Sequence, residues 1–136
     1  MNIGEVAQRS GVPAKTIRYY EDIGLIAPPR RSEAGYRIYG GDDVQTLRFV
    51  NRARSLGFSI KDVDSLLTLW RDRERQSAEV KGLALEQVER IEKKIGELQE
   101  MRNTLLDLAR RCHGDRRPHC PILADLAGEQ EGVEAL

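Results

Sequence analysis

At 136 residues, with 40% apolar and 32% charged residues, the chain has room for one modest core plus an extended helix and not for two full domains. Its net charge of zero hides a mild asymmetry, because residues 1–76 carry 13 Lys or Arg against 10 Asp or Glu and the remainder 9 against 12, a weak pointer to nucleic acid at the front of the chain. No apolar run approaches a membrane span, Met1 opens onto a polar helix without a signal-peptide core, and no activated Ser, paired carboxylate or phosphate loop stands out, so the expectation is a cytoplasmic non-enzyme.

Asn2 can cap a first helix over Ile3 to Arg9, with Ile3, Val6 and Ala7 on its apolar face. Ser10-Gly11-Val12 breaks it, and a second helix fits Pro13 to Ile23, with Pro13 in its first turn and Gly24 past its end. Two short helices joined by a tight turn describe a helix-turn-helix, or an αα-hairpin with a solvated charged face. The second helix should expose Lys15, Thr16, Arg18 and Tyr19 and bury Ile17 and Tyr20, an outer face suited to phosphates and base edges. Pro28-Pro29 ends helical structure, and Arg30 and Arg31 lead through Ser32-Glu33-Ala34-Gly35 to Tyr36-Arg37-Ile38-Tyr39, a small basic hairpin placed as a DNA-binding wing.

Asp42 is the expected cap of a third helix reaching about Leu56, with Val44, Leu47, Val50 and Ala53 inward and Arg48, Arg52 and Arg54 outward. Gly57 ends it. Ser59 starts a fourth, where Ile60, Val63, Leu66, Leu67 and Trp70 continue the core and Lys61 and Asp62 stay wet. Residues 71–76 are charged and read as a hinge. From Ser77 a long helix runs to the Arg110 region, its apolar residues Val88, Ile91, Ile95 and Leu98 spaced three, four and three apart. That stripe is the narrow seam of a coiled coil, so the helix should pair with its own copy. Gly82 and Gly96 each cost roughly 1 kcal/mol against Ala, so packing or dimer contacts must hold it.

Every Cys and His of the protein falls in Cys112-His113-Gly114-Asp115-Arg116-Arg117-Pro118-His119-Cys120. Gly114 and Pro118 can turn the chain so that the two sulfurs converge, and Pro121 suits the first turn of a helix over Ile122 to Leu126 with Cys120 as its cap, a position that favours thiolate. Three ligand sets compete: two thiolates for a soft monovalent ion, Cys plus His for tetrahedral Zn(II), and an oxidised pair as a redox switch. Adjacent residues rarely aim at one ion, so the pair Cys112 and Cys120 is the simplest set, with His113 and His119 outside it. Residues 129–136 read as a disordered tail.

Taken together, Ile3-Gly4-Glu5-Val6-Ala7, Thr16-Ile17-Arg18-Tyr19-Tyr20-Glu21, Gly24-Leu25-Ile26, Gly35-Tyr36-Arg37-Ile38-Tyr39 and Arg54-Ser55-Leu56-Gly57-Phe58-Ser59 resemble the MerR family of transcription regulators, and specifically its copper-responsive CueR/HmrR branch. The resemblance spans nearly the whole chain. It implies a mainly α fold: a winged helix-turn-helix head over residues 1–70, the hinge at 71–76, an antiparallel dimerisation helix at 77–111, a metal-binding loop and short helix at 112–127, and the tail at 128–136. It implies a homodimer whose heads each take half of a palindromic operator lying between promoter elements spaced too far apart for RNA polymerase. Binding of Cu(I), Ag(I) or Au(I) by Cys112 and Cys120 would then let the dimer distort the promoter and switch on copper efflux or detoxification genes. Lys15, Arg18 and Tyr19, with Thr16, would meet DNA from the second helix, Arg31, Tyr36 and Arg37 from the wing, and Arg54 from the start of a second wing. Divalent-sensing relatives carry Cys and monovalent sensors Ser where this chain has Ser77, so the resemblance implies that Ser77 sets metal selectivity; two thiolates with a monovalent ion keep a net negative charge, which the N-terminus of the partner's long helix at Ser77, with Lys81 one turn on, would offset. The alternatives are a Zn(II) or thiol-redox regulator of the same family, and a cytosolic copper buffer, for which a winged head would be needless.

Overall fold

The computed structural model describes residues 1–112, 114 and 118–129; His113, Asp115 to Arg117 and the expected tail beyond Glu129 lie outside the described residues. The chain divides into two compact units, at Gln87 and Val88, so the first unit runs past the expected head.

In the first unit, α1 (Ile3–Ser10) starts as expected, the Asn2 Oδ1 accepting from the Glu5 amide at 2.9 Å, and Gly11 ends it at φ +77°. Helix α2 (Ala14–Asp22) follows, with Pro13 at the cap position instead of inside the first turn. Ile17 and Tyr20 are buried, and so are Leu25 and Ile26 beyond the helix. The hairpin pairs β1 (Arg30–Arg31) with β2 (Arg37–Ile38) antiparallel, Arg31 opposite Arg37. Strands of two residues do not stand alone. Local bonds help: the Ser32 amide donates to the Tyr36 carbonyl at 2.8 Å, and its Oγ accepts from the Tyr36 amide at 3.1 Å. Just past β2, Tyr39 and Met1 exchange two 2.8 Å hydrogen bonds, which seat the hairpin's exit beside the start of α1.

Helix α3 (Gly41–Ser55) buries Val44, Leu47, Val50 and Ala53 and exposes Arg48, Arg52 and Arg54, as its pattern predicts. Its cap differs. Gly40 occupies the position, and the Asp43 carboxylate, not Asp42, reaches back to the Gly40 amide at 2.8 Å. Helix α4 (Ile60–Arg71) begins at a Ser59 cap whose Oγ accepts from the Asp62 amide. Val63 and Leu67 complete a core whose fully buried members also include Val6, Val12, Ile17, Leu47 and Val50. Trp70 departs from expectation: it is 39% exposed and lies stacked on Phe49, centroids 4.5 Å apart, because the face it shares with Val63 and Leu67 runs out of cover at the last turn. Residues 72–75 form an ordered turn, the Glu74 amide donating to the Asp72 carboxylate.

Helix α5 (Ser77–Arg111) begins in this unit and is continuous through the expected dimerisation segment. Gln87, 7% exposed, donates from Nε2 to the Leu56 carbonyl at 3.1 Å and so ties the start of α5 to the end of α3. Gly57, at φ +85°, leaves the space for it: a Cβ there would stand 2.7 Å from the Gln87 Nε2. In the second unit Val88, Ile91, Ile95, Leu98, Met101 and Leu105 are 43–58% exposed in the single chain. A short α6 (Pro121–Leu126) follows the loop, with Cys120 at its cap position. Among the described residues no helix is long and apolar enough to cross a membrane.

Candidate nucleic-acid interface and metal centre

On α2 the side chains of Lys15, Arg18 and Tyr19 stand exposed, as the pattern requires, while Thr16 is half-buried and contributes less surface than expected. Tyr36, at the end of the wing turn, is 75% exposed. The arginines behave differently from free surface cations. Arg31 donates to the Gly35 carbonyl at 2.9 Å across its own turn, and Arg54 to the Phe58 carbonyl at 2.6 Å across the α3–α4 connection. Each guanidinium carries five N–H donors, so one local bond orients the fork without exhausting it.

Arg37 is the most constrained. Its Nη1 donates to Glu21 Oε2 at 2.7 Å and to the Tyr39 hydroxyl at 3.3 Å, while the Tyr39 hydroxyl donates to Glu21 Oε1 at 2.6 Å. The Glu21 side chain is only 6% exposed, and a carboxylate that dry is stable only because both oxygens are taken. Burial pushes the Tyr39 phenol above its usual value, and the bond to Glu21 adds to the rise, so the hydroxyl stays a donor. Sequence reading gave Glu21 and Tyr39 no role. One signal was there: an acid in the last turn of a helix opposes the helix dipole and asks for a cationic partner.

The second unit brings Cys112 and Cys120 together, both free and both half-buried, their sulfurs 4.0 Å apart. Cys112 follows the last turn of α5, its amide bonded to the Leu108 carbonyl, and Pro121 starts α6 directly after Cys120. The backbone amide of Leu123 lowers the Cys120 thiol most, burial opposes it, and the Ile122 amide and the Cys112 thiol add smaller lowering effects. The separation is shorter than two metal–sulfur bonds of about 2.3 Å each, so one ion can bond both sulfurs. Among the described residues no three His, Cys, Asp or Glu converge on one point. His119 is exposed, and His113 lies outside the described residues. Ser77 is the first residue of α5 and Lys81 lies one turn on, both exposed and both in the first unit.

Residues 1–69 match the family model of the MerR HTH family regulatory protein, and residues 44–108 match that of MerR, DNA binding. The chain is 58% identical over 127 residues to heavy metal-dependent transcription regulator 2 of Rhizobium meliloti (strain 1021), covering 93% of this chain and 86% of that protein. It is 46% identical over 128 residues to the HTH-type transcriptional regulator CueR of Escherichia coli O157:H7, covering 94% and 95%. Among solved structures it resembles the transcription regulator PbrR691 from Ralstonia metallidurans CH34 in complex with lead(II), with a TM-score of 0.79, 32% identity and coverage of 93% of this chain and 98% of that one.

Proposed function

Because this chain belongs to the MerR family of helix-turn-helix regulatory proteins, we propose that it is a metal-responsive transcription activator, acting in the cytoplasm as a homodimer on promoter DNA. Its relatives are transcription regulators and not enzymes. Each head takes half of a palindromic operator, with Lys15, Arg18 and Tyr19 of α2 and Tyr36 and Arg37 of the wing against the duplex, and Thr16, Arg31 and Arg54 at the margins. Arg and Lys neutralise phosphates, and a duplex held at two fixed points can be bent or untwisted between them, which is how the dimer would realign promoter elements for RNA polymerase.

The inducer is Cu(I), or the equally soft Ag(I) or Au(I), held by Cys112 and Cys120. The observation that carries this reading is the 4.0 Å thiol pair with its lowered Cys120 thiol. A bound ion would supply two metal–sulfur bonds in place of two thiol protons. Two thiolates with one monovalent cation keep a negative charge, and Ser77 and Lys81, at the positive end of the second copy's α5, set selectivity by offsetting it. Leu123 and Leu126, 64% and 73% exposed in the single chain, are the apolar surface that a closed loop would have to cover. In vitro transcription from the native promoter, buffered in Cu(I) or Zn(II), tests this. Cys112→Ser and Cys120→Ser should each abolish Cu(I) activation and leave operator binding intact, while His119→Ala keeps most of the response. Strong activation by Zn(II), or loss of the Cu(I) response in His119→Ala, would replace the two-thiolate site by a mixed Cys and His site.

A further inference from the structure

We infer that Glu21 and Tyr39 are positioning residues for DNA binding: they lock the wing onto the last turn of α2 and hold the Arg37 guanidinium with Nη1 turned inward and the rest of its fork toward a backbone phosphate. The inference rests on the proposed contact between Arg37 and DNA and goes further, since neither Glu21 nor Tyr39 need touch the duplex. Three observations carry it.

Glu21 lies 16 residues before Arg37 and 18 before Tyr39, so the triangle of bonds is tertiary and joins the two elements that carry the exposed Arg18, Tyr19 and Tyr36. The hairpin has two residues per strand and cannot set its own angle to the helix. The Arg37 side chain remains 26% exposed, and Nη2 and Nε take no part in the triangle. An arginine fixed in this way meets a phosphate without first losing its rotamer freedom, and its neighbour Tyr36 is carried to the same place.

The test uses the full-length protein and a duplex selected from a random DNA pool by the wild type, with affinity measured across a range of salt. Tyr39→Phe keeps the buried ring and removes one hydroxyl; Glu21→Gln keeps the shape and removes the charge. Each should weaken binding about fivefold or more. Each should also flatten the dependence of log affinity on log salt toward the slope of Arg37→Ala, which itself falls by about one. In the Arg37→Ala background neither substitution should change the slope further. A role confined to folding would lower the melting temperature and leave the slope alone, and Tyr39→Phe guards against a Glu21→Gln variant that simply unfolds. If Arg37→Ala flattens the slope while Tyr39→Phe and Glu21→Gln do not, the positioning role is wrong and the contact of Arg37 with DNA stands. If Arg37→Ala leaves the slope unchanged, that contact falls, and the positioning role with it.

Discussion

Cys120 shows how far a single side chain is specified by its neighbours. Its thiol sits over the first amides of α6, and the amide of Leu123, ahead of those of Ile122 and the Cys112 thiol, draws its pKa below the ordinary value. Because the folded-state value lies below the unfolded one, the thiolate's contribution is full above the unfolded value and fades as pH falls through the folded one. Metal capture, which exchanges protons for the ion, should weaken over that same lower window. Peptide-resolved alkylation with iodoacetamide against pH should place the Cys120 midpoint in the folded protein below that of the same peptide in the unfolded protein; a midpoint at or above the unfolded one would remove the amides from the site's chemistry. Much of this was legible in the sequence, since Pro121 directly after Cys120 announces a helix start. The convergence of the two sulfurs was legible too, from Gly114 and Pro118 between them; their 4.0 Å separation was not, because no periodic pattern spans the seven residues from 113 to 119. The locking of Arg37 was equally hidden. A basic wing residue looks the same on paper whether its guanidinium faces water or a buried carboxylate.

Among the elements, the junction of α3, α4 and the start of α5 turns on the absence of a side chain at Gly57. The residue sits at φ +85°, and the Gln87 amide occupies the place where a Cβ would stand. Gly57→Ala should therefore destabilise the first unit by about 1–3 kcal/mol, from left-handed backbone strain together with displacement of a buried hydrogen-bonded amide. Urea unfolding measures it. In a Gln87→Ala background the cost should shrink to the backbone part, and an equal cost in both backgrounds would show that Gln87 does not fill the space. Helix periodicity predicted the buried faces of α2 and α3 because a 3.6-residue repeat is a local property of the chain. The caps and the ends were less readable. Asp42 and Asp43 are interchangeable by composition, and which one reaches back to the Gly40 amide depends on where the backbone leaves β2. Trp70 was assigned to the core by its spacing from Val63 and Leu67, yet a stripe says which residues share a face and not where the covering surface stops.

At the scale of the molecule, a single chain leaves Val88, Ile91, Ile95, Leu98, Met101 and Leu105 exposed along α5, more contiguous apolar surface than a helix keeps in water without a partner. The wild type should sediment as a dimer at micromolar concentration with or without metal, and Ile95→Glu should sediment as a monomer. A monomeric wild type would sink the coiled-coil reading. The first unit, by contrast, satisfies itself from within: Arg48 donates to the Arg9 carbonyl, Tyr39 exchanges bonds with Met1, and Gln87 closes onto Leu56. That last bond reaches back 31 residues, which places it in the timetable of synthesis. Once the opening turns of α5 have left the ribosome, nothing the head needs is still unmade, whereas most of the apolar stripe is. A polypeptide stalled in the second half of α5 therefore already contains every partner of the bonds that Gln87, Arg48 and Met1 make in the first unit.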